Sequence, residues 1–207
     1  EKVYGDKMPV RIGMHPAKAY TNLAQWQNYD GYRAMYESAN LDRQGLIIWM
    51  SHSCWPSMVW QTYDYYFDPT AAFFGIKKAC EPLHVQYNAS TAQVQLVNMM
   101  KPAQDIKVIA TMYDLQGNEV YKKSDSAHLP SDSTVNCFEV LSPDTTKSFM
   151  LRLEAVSLLN GELLSTNTYF LWGNESAKEL DSMPIAKVDV RLVFKPTMHF
   201  VITNTGD

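Results

Sequence analysis

From His84 to Trp172 the chain alternates apolar and polar residues with a period of two. Val94 and Leu96 alternate with Gln93 and Gln95. Ile106, Val108, Ala110 and Met112 share one side, with Lys107 and Thr111 on the other. Phe149, Leu151, Leu153 and Ala155 alternate with Met150, Arg152 and Glu154. Successive side chains of a strand point to opposite faces, so each run predicts a strand with one face on a core. Thr134–Val140 and Leu163–Trp172 read the same way, and Val120-Tyr121 resumes after the turn Leu115-Gln116-Gly117-Asn118. Asn160-Gly161 predicts a type I′ hairpin, because both residues tolerate positive φ. About seven short strands separated by turns predict an immunoglobulin-like β-sandwich, although its Cys…Trp…Cys pattern is absent.

Before His84 the pattern differs. Glu1–Tyr20 has no sustained period and reads as loop. From Asn22 to Ala39 the residues Tyr29, Tyr32, Met35, Tyr36 and Ala39 recur at helical spacing, with Thr21 or Asn22 as cap. Arg33 and Glu37 stand four apart, which suggests a weak pair on the helix surface. Asn40 and Gly45 close the helix. Leu46-Ile47-Ile48-Trp49-Met50 is an unbroken apolar run and predicts a strand buried on both faces, as in parallel sheets. Trp55, Trp60, Tyr63, Tyr65 and Tyr66 follow it, a wall suited to a flat polar ligand beyond a strand end. Asp68-Pro69-Thr70 signals a helix start, with Ala71–Cys80 as the helix and Pro82 beyond it. Gly173–Pro184 reads as a linker. Val188, Val190, Leu192 and Phe194, then Met198, Phe200 and Ile202, alternate again. The expected division is 1–83, 84–173 and 174–207.

Composition removes several classes of function. The 207 residues carry 18 basic and 22 acidic side chains, so the balance predicts neither nucleic-acid nor membrane-surface binding. The longest apolar run is far too short to span a bilayer. The chain opens on Glu1-Lys2-Val3-Tyr4, which reads as a cut and not as a signal peptide. Cys54, Cys80 and Cys137 are odd in number and read as small buried apolar residues. His15, His52, His84, His128 and His199 lack ligand spacing, and no glycine pattern makes a phosphate loop, so neither metal nor cofactor is expected.

The segment Trp49–Tyr87 contains W-M-x-x-x-x-W-P-x-x-x-W-x-x-Y-D-Y-Y, then F-G-x-K-K-A-C-E-P-L-H-V-Q-Y. It resembles the last barrel strand and helix of glycoside hydrolase family 2, above all the exo-β-D-glucosaminidases, with β-mannosidases second. It departs at His52-Ser53, where the family usually has Asn or Asn-Asp. The resemblance implies that 1–83 is a helix-strand-helix remnant of a (β/α)8 barrel, followed by the sandwich and by the start of a further sandwich. It implies a retaining enzyme, which needs two carboxyl groups about 5–5.5 Å apart. Both would lie upstream of Glu1, leaving no catalytic residue here and an inactive chain. From the residues alone Trp49 reads as a core indole or a sugar-facing wall. The resemblance implies the second. Trp55 reads as a further substrate-facing ring or as part of the turn it makes with Pro56, and His52 as substrate-facing or as incidental to the loop. The implied partner is carbohydrate, bound through the intact barrel, and the implied location periplasmic or secreted.

Two other readings compete. His52 and Cys54 would act as base and thiol nucleophile, but no orienting group or oxyanion element accompanies them. Alternatively, the sandwich is a non-catalytic module binding glycan or protein. The unpaired strand at Leu46 also leaves self-association open.

Overall fold

The computed structural model describes residues 16–42, 45–57, 60–99, 101–174, 179, 183–184, 187–194 and 199–204. The sandwich is present. One sheet holds β1 (Leu83–Asn88), β2 (Gln93–Asn98) and β5 (Ser133–Glu139) in the order β1-β2-β5. The other holds β3 (Gln104–Tyr113), β4 (Glu119–Leu129), β6 (Phe149–Ser157) and β7 (Leu163–Leu171) in the order β4-β3-β6-β7. All pairings are antiparallel. Val85, Val94 and Leu96 face Ile106, Val108, Ala110, Met112, Leu151, Leu153 and Ala155 across a core closed to water. The alternation read from sequence thus marks the inner faces. β4 stays exposed except near its end, and its Lys122-Lys123-Ser124-Asp125 run suits an edge strand that must not pair further.

The β6–β7 connection is a hairpin of a different kind from the one expected. Ser157 N–H donates to Glu162 O at 2.8 Å and Gly161 N–H to Ser157 O at 3.0 Å, enclosing the loop 158–161. Only Gly161 takes a positive φ, 73°, so the turn is not type I′.

Two helices precede the sandwich: α1 (Pro16–Asp42) and α2 (Ala71–Ala79). α1 begins earlier than Asn22, because Pro16 suits a first helical turn, where its missing N–H has no partner to lose. Thr70 stands at the N-cap of α2 without a side-chain cap bond. Its hydroxyl donates instead to Gln61 O at 2.7 Å, and Gln25 of α1 supplies the cap by accepting from Ala71 N–H at 2.8 Å. The helices meet at Gly75, where any Cβ would run into the Tyr29 carbonyl oxygen.

The strand expected at Leu46–Met50 does not form. The segment is irregular, Met50 adopts φ 62°, and Ile47 is wholly exposed. A strand is held by its neighbours, and among the described residues nothing pairs with this one. The cysteines also differ from expectation: Cys54 and Cys80 are exposed and only Cys137 is partly buried. Beyond the sandwich, β8 (Val188–Val193) and β9 (His199–Asn204) pair as a two-stranded hairpin, with Val190, Leu192 and Ile202 exposed.

Candidate functional site

The aromatic loop between α1 and α2 is pinned at its base. Ser51 O accepts from Tyr63 N–H and from the Thr62 hydroxyl, both at 2.9 Å, and Ser53 and Gln61 are hydrogen-bonded and buried beneath. Asp64 holds the far turn by accepting from Tyr66 N–H at 2.8 Å and Asp68 N–H at 2.9 Å. The side chains above this base face water. Trp49 is 80% exposed and Trp55 65% exposed, and neither stacks on another ring among the described residues. His52 lies flat on Phe67, ring centres 4.1 Å apart, with Nε2 3.3 Å from Tyr65 O. The loop brings His52 to Tyr65 and Phe67, not to the Cys54 thiol, so the base–nucleophile pairing has no geometric support. Trp60, Tyr66 and Phe67 of the same loop are also exposed.

A second constellation lies under α1. Arg33 and Glu37, read as a surface pair, are both buried and reach the sandwich instead of each other. Arg33 donates to Asn167 Oδ1 at 2.9 Å, Thr168 O at 2.6 Å and Asp30 at 2.9 Å, and its Cζ lies 4.3 Å from the Tyr169 ring centre. Its buried Nε has no hydrogen-bond acceptor among the described residues, and the guanidinium lies over the Tyr169 ring as a cation–π contact. One oxygen of Glu37 accepts from His84 Nε2 at 3.0 Å, Asn167 at 2.8 Å and the Tyr169 hydroxyl at 2.8 Å. His84 Nδ1 meets Glu81 at 3.3 Å, and Glu81 also accepts from Lys78 at 2.6 Å and Ser165 at 2.8 Å.

These contacts set the charges. Burial pushes the His84 pKa down, but hydrogen bonds to Glu37 and Glu81 and their charges outweigh it, and the net shift is upward. With a carboxylate within reach of each ring nitrogen, the balance favours the protonated imidazole. Burial raises Glu81, while hydrogen bonds from His84, Lys78 and Ser165 prevail and bring it to about 2. Burial, then the Glu37 charge, holds the Tyr169 phenol well above its ordinary range. Glu37 and Glu81 are thus occupied by structural donors on opposite sides of one buried ring. The alternation His84-Val85-Gln86-Tyr87 was a signal for β1, but which cover its polar face would receive was not readable from sequence.

A sequence family described as Mannosidase Ig/CBM-like domain matches residues 90–172. An exo-β-D-glucosaminidase of Amycolatopsis orientalis is 33% identical over 132 residues, covering 59% of this chain and 13% of that protein. A mannosylglycoprotein endo-β-mannosidase of Lilium longiflorum is 31% identical over 161 residues, covering 73% of this chain and 17% of that protein. Among solved structures, the exo-chitosanase of Amycolatopsis orientalis superposes with a TM-score of 0.76 at 22% identity, over 91% of this chain and 26% of that one. The chain therefore spans between about an eighth and about a quarter of the length of the proteins it matches. No helix among the described residues is long and apolar enough to cross a membrane. Residues 90–172 carry a mannosidase-type immunoglobulin-like domain, and the chain resembles family 2 glycoside hydrolases of the exo-β-D-glucosaminidase and β-mannosidase kind.

Proposed function

We propose that this chain is part of a retaining family 2 glycoside hydrolase that removes terminal β-linked glucosamine or mannose, and that 1–83, 84–173 and 174–207 are its barrel remnant, sandwich and the start of a further domain. In this reading both catalytic carboxylates belong to barrel strands that the chain does not include, and the chain alone does not hydrolyse glycosides. Trp49, Trp55 and His52 face the sugar. Trp49 offers it a flat apolar face and one N–H donor. Periplasmic or secreted location follows from the same relationship.

The observation that carries the reading is the loop itself. Its base is ordered by buried hydrogen bonds, yet Ile47 and Trp49 stand almost fully in water. An apolar run so exposed, beside a well-made scaffold, fits a strand that neighbouring barrel strands cover around Ile47 and whose C-terminal end leaves Trp49 to the substrate.

The test compares the chain with the intact protein on aryl β-glucosaminide and aryl β-mannoside. The intact protein turns over one of them with retained anomeric configuration, and the chain turns over neither. Trp49→Ala in the intact protein lowers kcat/KM by about a hundredfold or more, as loss of a substrate-positioning contact does, without lowering Tm. Equal activity of chain and intact protein overturns the proposal. A Trp49→Ala protein that unfolds assigns the indole to the core.

A further inference from the structure

A cleft of about 430 Å³ opens between the first half of α1 and β7, and Trp49, Trp55 and His52 are not among its lining residues. Its size falls in the range of about 300–1,000 Å³ typical of small-molecule sites. Trp26, Tyr29 and Phe170 form its wall, and Asn22, Gln25 and Lys78 its polar margin.

The wall is held in place before anything binds. Trp26 donates its indole N–H to Asp30 Oδ2 at 3.1 Å and tilts onto Phe170 with ring centres 5.3 Å apart. Phe170 is backed by Trp172, stacked at 5.2 Å and 17°. Rings already fixed in position lose little entropy on binding.

The charges at the margin are matched within the protein. Asp30 is held by Arg33 and Trp26, and Lys78 pairs with Glu81 at 2.6 Å while donating to Thr166 O at 3.0 Å. The cleft therefore attracts neither anions nor cations strongly. Its amides retain hydrogen-bonding capacity. Gln25 uses its oxygen on Ala71 N–H, which leaves its NH₂ group for another acceptor. Asn22 is exposed and makes no hydrogen bond among those described. Flat apolar rings beside uncharged amides match a pyranose, which has an apolar C–H face and a rim of hydroxyls.

We propose that the cleft between α1 and β7 binds carbohydrate, stacking one ring of a neutral mono- or disaccharide on the exposed indole of Trp26, which Phe170 props from behind. The proposal stands apart from the glycosidase reading. Hydrolysis by the intact protein can fail while this cleft binds, and the converse also holds.

The test uses the whole chain, ¹⁵N-labelled and titrated with β-linked N-acetylglucosamine and mannose disaccharides. The expected result is a saturable shift of the Trp26 indole N–H resonance, assigned by its loss in Trp26→Ala. Followed through the backbone N–H of Phe170, Trp26→Ala weakens the affinity about tenfold or more, equivalent to about 1.4 kcal/mol. Where Trp26→Ala disturbs folding, Asn22→Ala decides, since this exposed amide makes no hydrogen bond among the described residues and its loss weakens binding severalfold. Absence of a saturable shift up to the solubility of the sugars overturns the proposal. Binding that survives Asn22→Ala unchanged and is abolished by Trp49→Ala also overturns it, and assigns the sugar to the aromatic loop.

Discussion

At the scale of single residues, the least legible part of the molecule is the joint beneath α1. Arg33 and Glu37 had the spacing of an exposed helical pair, and His84 that of one more scattered histidine. Only the fold shows that all three are buried against Asn167 and Tyr169. The reason is general: helical spacing reports which residues share a face, not what that face meets. Trp49, by contrast, stood out in the sequence. The joint makes stability depend on pH in two directions. The folded pKa of His84 lies above its ordinary 6.5, so its contribution is complete below pH 6.5 and is lost as pH rises through the folded value. Glu81 moves the other way. Its contribution is present above its ordinary 4.5 and is lost as pH falls towards about 2. Denaturant unfolding across pH should therefore show stability declining on both flanks. His84→Gln should remove the decline on the alkaline flank and lower the stability below it. A variant that keeps the wild-type alkaline decline assigns that flank to another group.

At the scale of elements, periodicity located β2, β3, β6 and β7 because each has one face on a common core, whereas β4, exposed along most of its length, showed only as Val120-Tyr121. It failed where an element is defined by what lies beside it. Leu46–Met50 has the composition of a buried strand, but a ladder needs a partner backbone, and the described residues offer it none. The hairpin at Asn160-Gly161 was placed correctly and given the wrong turn, since the loop runs from 158 to 161 with one positive φ. The cap of α2 was missed because it comes from Gln25, far away in sequence. The crossing of α1 and α2 depends on Gly75, whose missing side chain lets the Tyr29 carbonyl approach. Gly75→Ala gains about 1 kcal/mol of helix propensity but places a methyl against backbone that cannot rotate away. Overpacking of this kind costs about 1–3 kcal/mol, so the net effect should be destabilising. Circular dichroism melting and cleavage rate in the loop 45–57 test this. A Tm equal to wild type would mean that the two helices separate slightly without loss.

At the scale of the molecule, the two halves are stabilised by different means. The sandwich has a continuous apolar core from Leu83 to Tyr169. The described part before it buries only Tyr32, Ala72 and Ala79 among its hydrophobic residues, and attaches through polar groups. Besides the Arg33 and Glu37 contacts, the last turn of α1 is capped by the sandwich. Gln86 donates to Glu37 O at 3.2 Å and the Thr134 hydroxyl to Asn40 O at 2.8 Å. A buried polar joint adds little net stability when complete, but losing one partner costs about 3–5 kcal/mol, because a charge is left unpaired. Limited proteolysis at neutral pH should therefore cut first in the exposed loop around Ile47, Trp49 and Trp55, and leave the sandwich intact. The helix 16–42, although severed, should stay with the sandwich through gel filtration. In Glu37→Ala it should separate, while the sandwich resists protease as before. Two results would contradict this account. If the wild-type helix is released as soon as the loop is cut, the polar joint does not hold the halves together. If the loop resists protease as long as the sandwich in a proven monomer, the first eighty or so residues possess a core of their own and are not a barrel remnant.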